Sequence, residues 1–105
     1  MNRPLPIEYA AAARQELADL WLDYFTVSEE LADKIIRRLE LKILELTRHP
    51  QLGRLRPEFR FEGLRSVAVN PHVIFYTIAA EPAIWIHRIV DGRRNLAAIF
   101  THELS

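Results

Sequence analysis

Arg65, His87, Arg88, Arg93, Arg94 and His102 are the side chains whose types suit work on a phosphodiester. Cleaving RNA without a metal needs one group to activate the 2′-hydroxyl, another to protonate the leaving oxygen, and cations for the phosphorane charge. Alternation along the last apolar run puts Trp85, His87 and Ile89 on one face and Ile84, Ile86 and Arg88 on the other. A histidine beside a tryptophan on a sheet face is more often a half-buried packing residue than an acid or base, so this chemistry is only weakly supported. Other chemistries find less. His49, His72, His87 and His102 show neither the i to i+4 pairing nor the carboxylate spacing of a zinc motif, so no metal is expected. Ser28, Ser66 and Ser105 lie in no nucleophile elbow, and the 3 glycines are isolated, which leaves no phosphate-cradling loop and no expected cofactor.

The elements that must position these groups follow from hydrophobic period. Pro4 and Pro6 suit an edge strand, and Leu5, Ile7 and Tyr9 alternate, predicting a strand over residues 4–9. Ala10, Ala13, Leu17, Leu20, Trp21 and Tyr24 then recur at steps of three and four, the mark of a first helix. Thr26 to Glu29 offers either a capping box or a simple cap at Ser28, so a second helix starts within a few residues and folds back as an antiparallel hairpin. Leu31, Ala32, Ile35, Ile36, Leu39, Ile43 and Leu46 fall on its inward arc, and His49-Pro50 ends it. Leu41 and Leu44 project from the opposite side, about one turn apart, as half of a partner groove.

Residues 50–63 form a connector without strong periodicity. Beyond it, residues 64–69, 73–79 and 83–90 are rich in β-branched and aromatic side chains, divided by Asn70-Pro71 and Glu81-Pro82. Two tight hairpins follow. The middle strand is apolar on both faces apart from Thr77, so it should be central and covered twice. The helical hairpin covers one face, and the tail from Arg93 to Leu104, with Leu96, Ile99 and Phe100, is the candidate for the other.

A chain of 105 residues, half of them apolar, supports one core and a single domain over 1–105. With 0 cysteines, folding needs no oxidising compartment, and no run is long enough to cross a bilayer, so a cytoplasmic location is expected. Net charge is zero, from 14 basic and 14 acidic residues, which argues against affinity drawn from a wide phosphate surface. The halves differ: 7 basic against 9 acidic residues over 1–53, and 7 against 5 over 54–105, or −2 and +2. Every basic residue of the second half is an arginine, suited to specific contacts with carboxylates and phosphates.

The order of these pieces resembles the ParE branch of the RelE/ParE toxin superfamily. Ile7-Glu8-Tyr9 with the first helix, Pro50-Gln51-Leu52-Gly53, and Gly63-Leu64-Arg65 are each similar to family segments. The firmest matches are His72-Val73-Ile74-Phe75-Tyr76 and Ile86-His87-Arg88-Ile89-Val90-Asp91-Gly92-Arg93-Arg94-Asn95, which look like its paired signature strands. The resemblance implies an α+β fold of order β-α-α-β-β-β, with the helical hairpin packed on a small antiparallel sheet and a short C-terminal extension. It also implies a type II toxin, of the kind linked to plasmid maintenance, held inactive by a ParD-like antitoxin in a hetero-oligomer. ParE-like members act on DNA gyrase, whereas RelE-like members cleave mRNA on the ribosome. Residues 64–90 contain no lysine, Val73 stands where a RelE-type arginine is expected, and Phe100 stands in place of the tyrosine. These differences favour a non-enzymatic gyrase inhibitor. The alternatives are a RelE-like endoribonuclease and a non-toxic remnant that only binds antitoxin. By resemblance, Arg65, Arg93, Arg94, Ile99, Phe100 and His102 are the expected target contacts. Trp21, Leu41, Leu44, Tyr76, Trp85 and His87 are those expected for the antitoxin.

Overall fold

The computed structural model describes residues 3–104, with side chains described through residue 100. The order is β1 (Ile7–Tyr9), α1 (Ala11–Phe25), α2 (Glu29–Arg48), β2 (Arg54–Leu55), a 3-10 turn (Pro57–Phe59), β3 (Arg65–Val69), β4 (His72–Ile78), β5 (Ile84–Asp91) and α3 (Leu96–Leu104). The fold is α+β, as the sequence predicts, with two differences in the sheet.

First, the sheet has five strands in the order β1-β5-β4-β3-β2. The connector, expected to be strandless, supplies β2, whose Arg54 and Leu55 pair with Ser66 and Arg65 at one edge. Two exposed residues carry no alternating pattern, so the strand exists through its neighbour alone. Second, the sheet is mixed. β1 lies parallel to β5, with Ile7 beside Ile84 and Tyr9 beside Ile86, while the other pairings are antiparallel. β1 is also shorter than the 4–9 expected, because Leu5 N–H turns away to donate to Thr47 O at 3.0 Å.

Helix α2 starts at the simpler of its two caps: the Ser28 side chain accepts from Leu31 N at 3.0 Å. Glu29 and Glu30 in its first turn and Arg48 in its last complement the helix dipole. Trp21, near the end of α1, donates to Asp33 near the start of α2 at 3.0 Å, as an antiparallel hairpin requires.

β4 is central and covered on both faces. On one side Ala13, Leu39, Ile43 and Leu46 pack on Ile74, Tyr76, Ile84, Ile86 and Ile89. On the other, Phe59, Leu64, Phe75, Val90, Ile99 and Phe100 form a second cluster with Phe61, Val73 and Leu96. The tail covers the second face as predicted, with help from the 3-10 turn.

One register expectation fails. The pairing of β4 with β5 shifts between Phe75 and Tyr76: Phe75 faces Arg88 and Tyr76 faces Ile86, leaving His87 as the extra residue. The bulge reverses the parity of the strand beyond it. Ile89, expected beside Trp85 and His87, therefore joins Ile84 and Ile86 under the helices.

Candidate functional site

Of the residues named for chemistry, His87, Arg88, Arg93 and Arg94 gather around the bulge and the end of β5. A bulge leaves backbone groups outside the ladder, and here a side chain takes one of them. Glu16 of α1 accepts from Ile89 N at 2.9 Å through one oxygen. Through the other it accepts from Arg88 Nε at 3.0 Å and Nη2 at 2.6 Å. Both side chains are mostly buried. A half-buried carboxylate with a charged and a backbone partner is strongly held. The sequence held a signal for it: position 16 lies three after Ala13 and four before Leu20, so an acid sits on the buried stripe.

β5 ends at Asp91, whose cross-strand partner is His72. The Asp91 carboxylate accepts from Arg93 N at 2.8 Å, from Arg93 Nε at 2.9 Å, and from Arg93 Nη2. These bonds hold its carboxyl well below the usual carboxylate range, and the Asp91 carboxylate in turn raises the Arg93 guanidinium. Arg93 is nonetheless 81% exposed, and Arg94 follows it on the surface. His72 is buried, its ring in T-shaped contact with that of Tyr24, and burial lowers its imidazole pKa against the opposing pull of Asp91. Glu16, Asp19, Asp23, Tyr24, His72, Asp91 and Arg94 share the lining of a cleft of about 380 Å³.

The remaining expected contacts divide by burial. Arg65 donates to Gly53 O at 2.7 Å and to Gln51 O at 3.3 Å. Tyr76, expected on an accessible sheet face, is instead fully buried; it donates to Pro50 O at 2.7 Å and accepts from Gly53 N at 2.8 Å. Between them they clamp the Pro50–Gly53 turn. A Cβ at Gly53 would fall 2.7 Å from the Tyr76 ring and hydroxyl and 2.8 Å from Ser66 O, so only glycine fits. Ile99 and Phe100 are also buried, their surface taken up by the second core cluster; they anchor α3 in this conformation rather than offering a surface. The His102 side chain lies outside the described residues.

His87 packs on Phe61 at 4.8 Å between ring centroids and shares a 2.9 Å hydrogen bond with Thr77. That is the packing role weighed above. Trp85 is 36% exposed beside it, while Leu41 and Leu44 are 55% and 54% exposed. Leu41 lines a shallow cleft with Ala68, Val69 and Asn70, and Trp21 stacks on the exposed Phe25 at 4.8 Å. Among the described residues no group of three or more His, Asp or Glu side chains is placed to hold a metal, and no helix is long and apolar enough to cross a membrane.

Comparisons with known proteins bear on this arrangement. Residues 7–96 match the family described as ParE toxin of type II toxin-antitoxin system, parDE. The chain is 27% identical over 86 residues to Toxin ParE1 of Mycobacterium tuberculosis strain CDC 1551 / Oshkosh, covering 81% of this chain and 87% of that one. Toxin ParE1 of strain H37Rv matches equally. Among solved structures, a chain from the chromosomal ParDE TA system of P. aeruginosa superposes with a TM-score of 0.70 at 19% identity, covering 83% of this chain and 95% of that one. At that identity the likeness speaks for the fold.

Proposed function

The chain belongs to the ParE toxin family of type II toxin-antitoxin systems, and from that premise we propose that it inhibits DNA gyrase by binding it and is neutralised by a ParD-like antitoxin. The observation that carries the choice of a binding protein over a nuclease is the state of the would-be catalytic groups. Arg65 is committed to two loop carbonyls, His87 to Thr77 and Phe61, and Arg88 to Glu16. His72 shares a cleft with the exposed Arg94, but the four carboxylates on its walls, Glu16, Asp19, Asp23 and Asp91, repel a phosphate. Of the arginines named for chemistry, Arg93 and Arg94, just past the end of β5, face solvent. They suit recognition of acidic or phosphate groups on a target. Antitoxin contact falls to Trp21, Leu41, Leu44 and Trp85, the expected side chains that keep apolar surface accessible.

Inducible expression tests this reading. Growth should stop on induction and resume when the ParD-like partner is co-expressed. Primer extension on cellular mRNA should show no codon-linked cuts. Such cuts would put a ribosome-dependent endoribonuclease in its place, and induction without growth arrest would point to a non-toxic remnant that binds antitoxin.

A further inference from the structure

The cleft between α1 and the end of β5 is of small-ligand size, about 380 Å³. Four carboxylates line it, Glu16, Asp19, Asp23 and Asp91. Arg88 matches the first and Arg93 the last. Asp19 accepts from the neutral Gln15 amide at 2.9 Å, and neither Asp19 nor Asp23 has an ion pair among the described residues. With Arg94 as the remaining cation on the wall and Arg38 near enough to act on the His72 ring, Asp19 and Asp23 are the wall's carboxylates without an ion pair among the described residues.

Local energetics disfavour these acids. Asp19 and Asp23 stand at i and i+4 on α1, where like charges repel. Asp23 also lies in the last turn, at the negative end of the helix dipole. The Gln15 amide offsets part of this for Asp19, whereas Asp23 has no side-chain partner among the described residues, and a break in local rules is expected where a side chain serves something outside its own element. A second, independent feature points into the same space. His72, on the opposite wall, is 3% exposed, yet its ring makes no hydrogen bond among the described residues. Burial favours the neutral ring against the pull of Asp91, and a neutral imidazole has one acceptor nitrogen for an incoming donor. Beside it lies the Tyr24 ring, 6.1 Å from that of His72, and the face of such a ring attracts a planar cation.

We propose that this cleft receives the guanidinium of an arginine side chain from a protein partner, with Asp19 and Asp23 as its charge partners and His72 as its neutral acceptor. A metal ion is not the occupant, because no three ligating side chains among the described residues converge on one point. Arginine fits better than lysine, since its flat fork reaches two carboxylates and stacks on an aromatic ring at once. The inference needs neither toxicity nor the antitoxin to be as proposed above, and its test uses the chain alone.

The probe is the peptide acetyl-Gly-Arg-Gly-amide, titrated at low salt into the isotope-labelled chain and followed by NMR, with the citrulline peptide as an isosteric neutral control. Saturable shifts confined to the His72 ring and the Ile89 and Val90 amides are expected, with citrulline silent. Asp19→Asn with Asp23→Asn should weaken binding by about tenfold or more. This double variant removes a repulsion on an exposed helix face, so it should melt no lower than the parent. Should it fail to fold, Asp23→Asn alone carries the comparison. Scattered or absent shifts, an equal response to citrulline, or the same shifts with magnesium ions would each overturn the proposal.

Discussion

The two faces of the sheet are closed in different ways. Under the helices the contacts are aliphatic and come from two long periodic elements, with Leu39, Ile43 and Leu46 set on Ile74, Ile84 and Ile86. Under the tail they are aromatic and come from short pieces: Phe100 meets Phe75 at 4.7 Å and stacks on Phe59 at 5.4 Å, while Phe61 meets His87 at 4.8 Å. The first face is redundant, since many side chains share its burial. The second rests on a few large rings, one of them in a nine-residue helix at the end of the described chain. Stability should therefore be global on one face and local on the other. The Asp91–Arg94 corner joins them, tied to Glu16 through β5 and running directly into α3.

The largest expected effect tests the redundant face. Ile86→Ala should cost about 2–5 kcal/mol in denaturant unfolding, with fluorescence and circular dichroism losing signal together. A loss confined to one probe would break the claim that this face unfolds as a unit. On the other face, Phe100→Ala should register below the roughly 3–5 kcal/mol usual for a buried phenylalanine. Amide exchange should show α3 losing protection while β4 and β5 keep theirs; equal loss in all three would make the faces alike.

Next come the polar ties. Tyr76→Phe leaves Gly53 N–H and Pro50 C=O without their buried partner, and should cost about 1–3 kcal/mol. A neutral result would mean that water replaces the hydroxyl, and the clamp would lose its role.

A smaller effect concerns pH. The His72 pKa is lowered in the folded chain, so the unfolded chain binds more protons around and below the ordinary histidine value. Stability from this residue is thus complete above about pH 6.5 and declines as pH falls below it. Asp91, lowered among carboxylates, loses its contribution only in stronger acid. The melting temperature should fall between pH 7 and pH 5, and less so in His72→Asn. An equal fall in both would assign the change to other groups.

Least of all should stability respond to Arg93→Ala with Arg94→Ala, because both side chains are exposed. The same pair should abolish toxicity. A double variant that folds, binds antitoxin and stays fully toxic would remove the corner from the account.

How legible all this was in the sequence follows the same division. The helix face was readable because period three-to-four and a serine cap leave marks in the sequence, and the coverage of β4 followed from its apolar run. Hidden were features made by one residue meeting another far along the chain. The bulge at His87 leaves no mark in an alternating run, so Ile89 was set on the wrong face. β2 exists only through β3, and the Tyr76 hydroxyl is explained only by a turn 23 to 26 residues away. Among the site residues, Arg93 and Arg94 could be named from type and position. Glu16, His72 and Asp23 could not be joined to them, since α1 and the end of β5 meet only in three dimensions.

The central claim is that the free chain acts by binding gyrase. It is tested most directly by a supercoiling assay with purified gyrase and the chain released from its antitoxin, scoring cleaved DNA together with lost supercoiling. Dose-dependent inhibition is expected, reversed by the antitoxin and removed by Arg93→Ala with Arg94→Ala. Gyrase unaffected by a folded chain that arrests growth would contradict it.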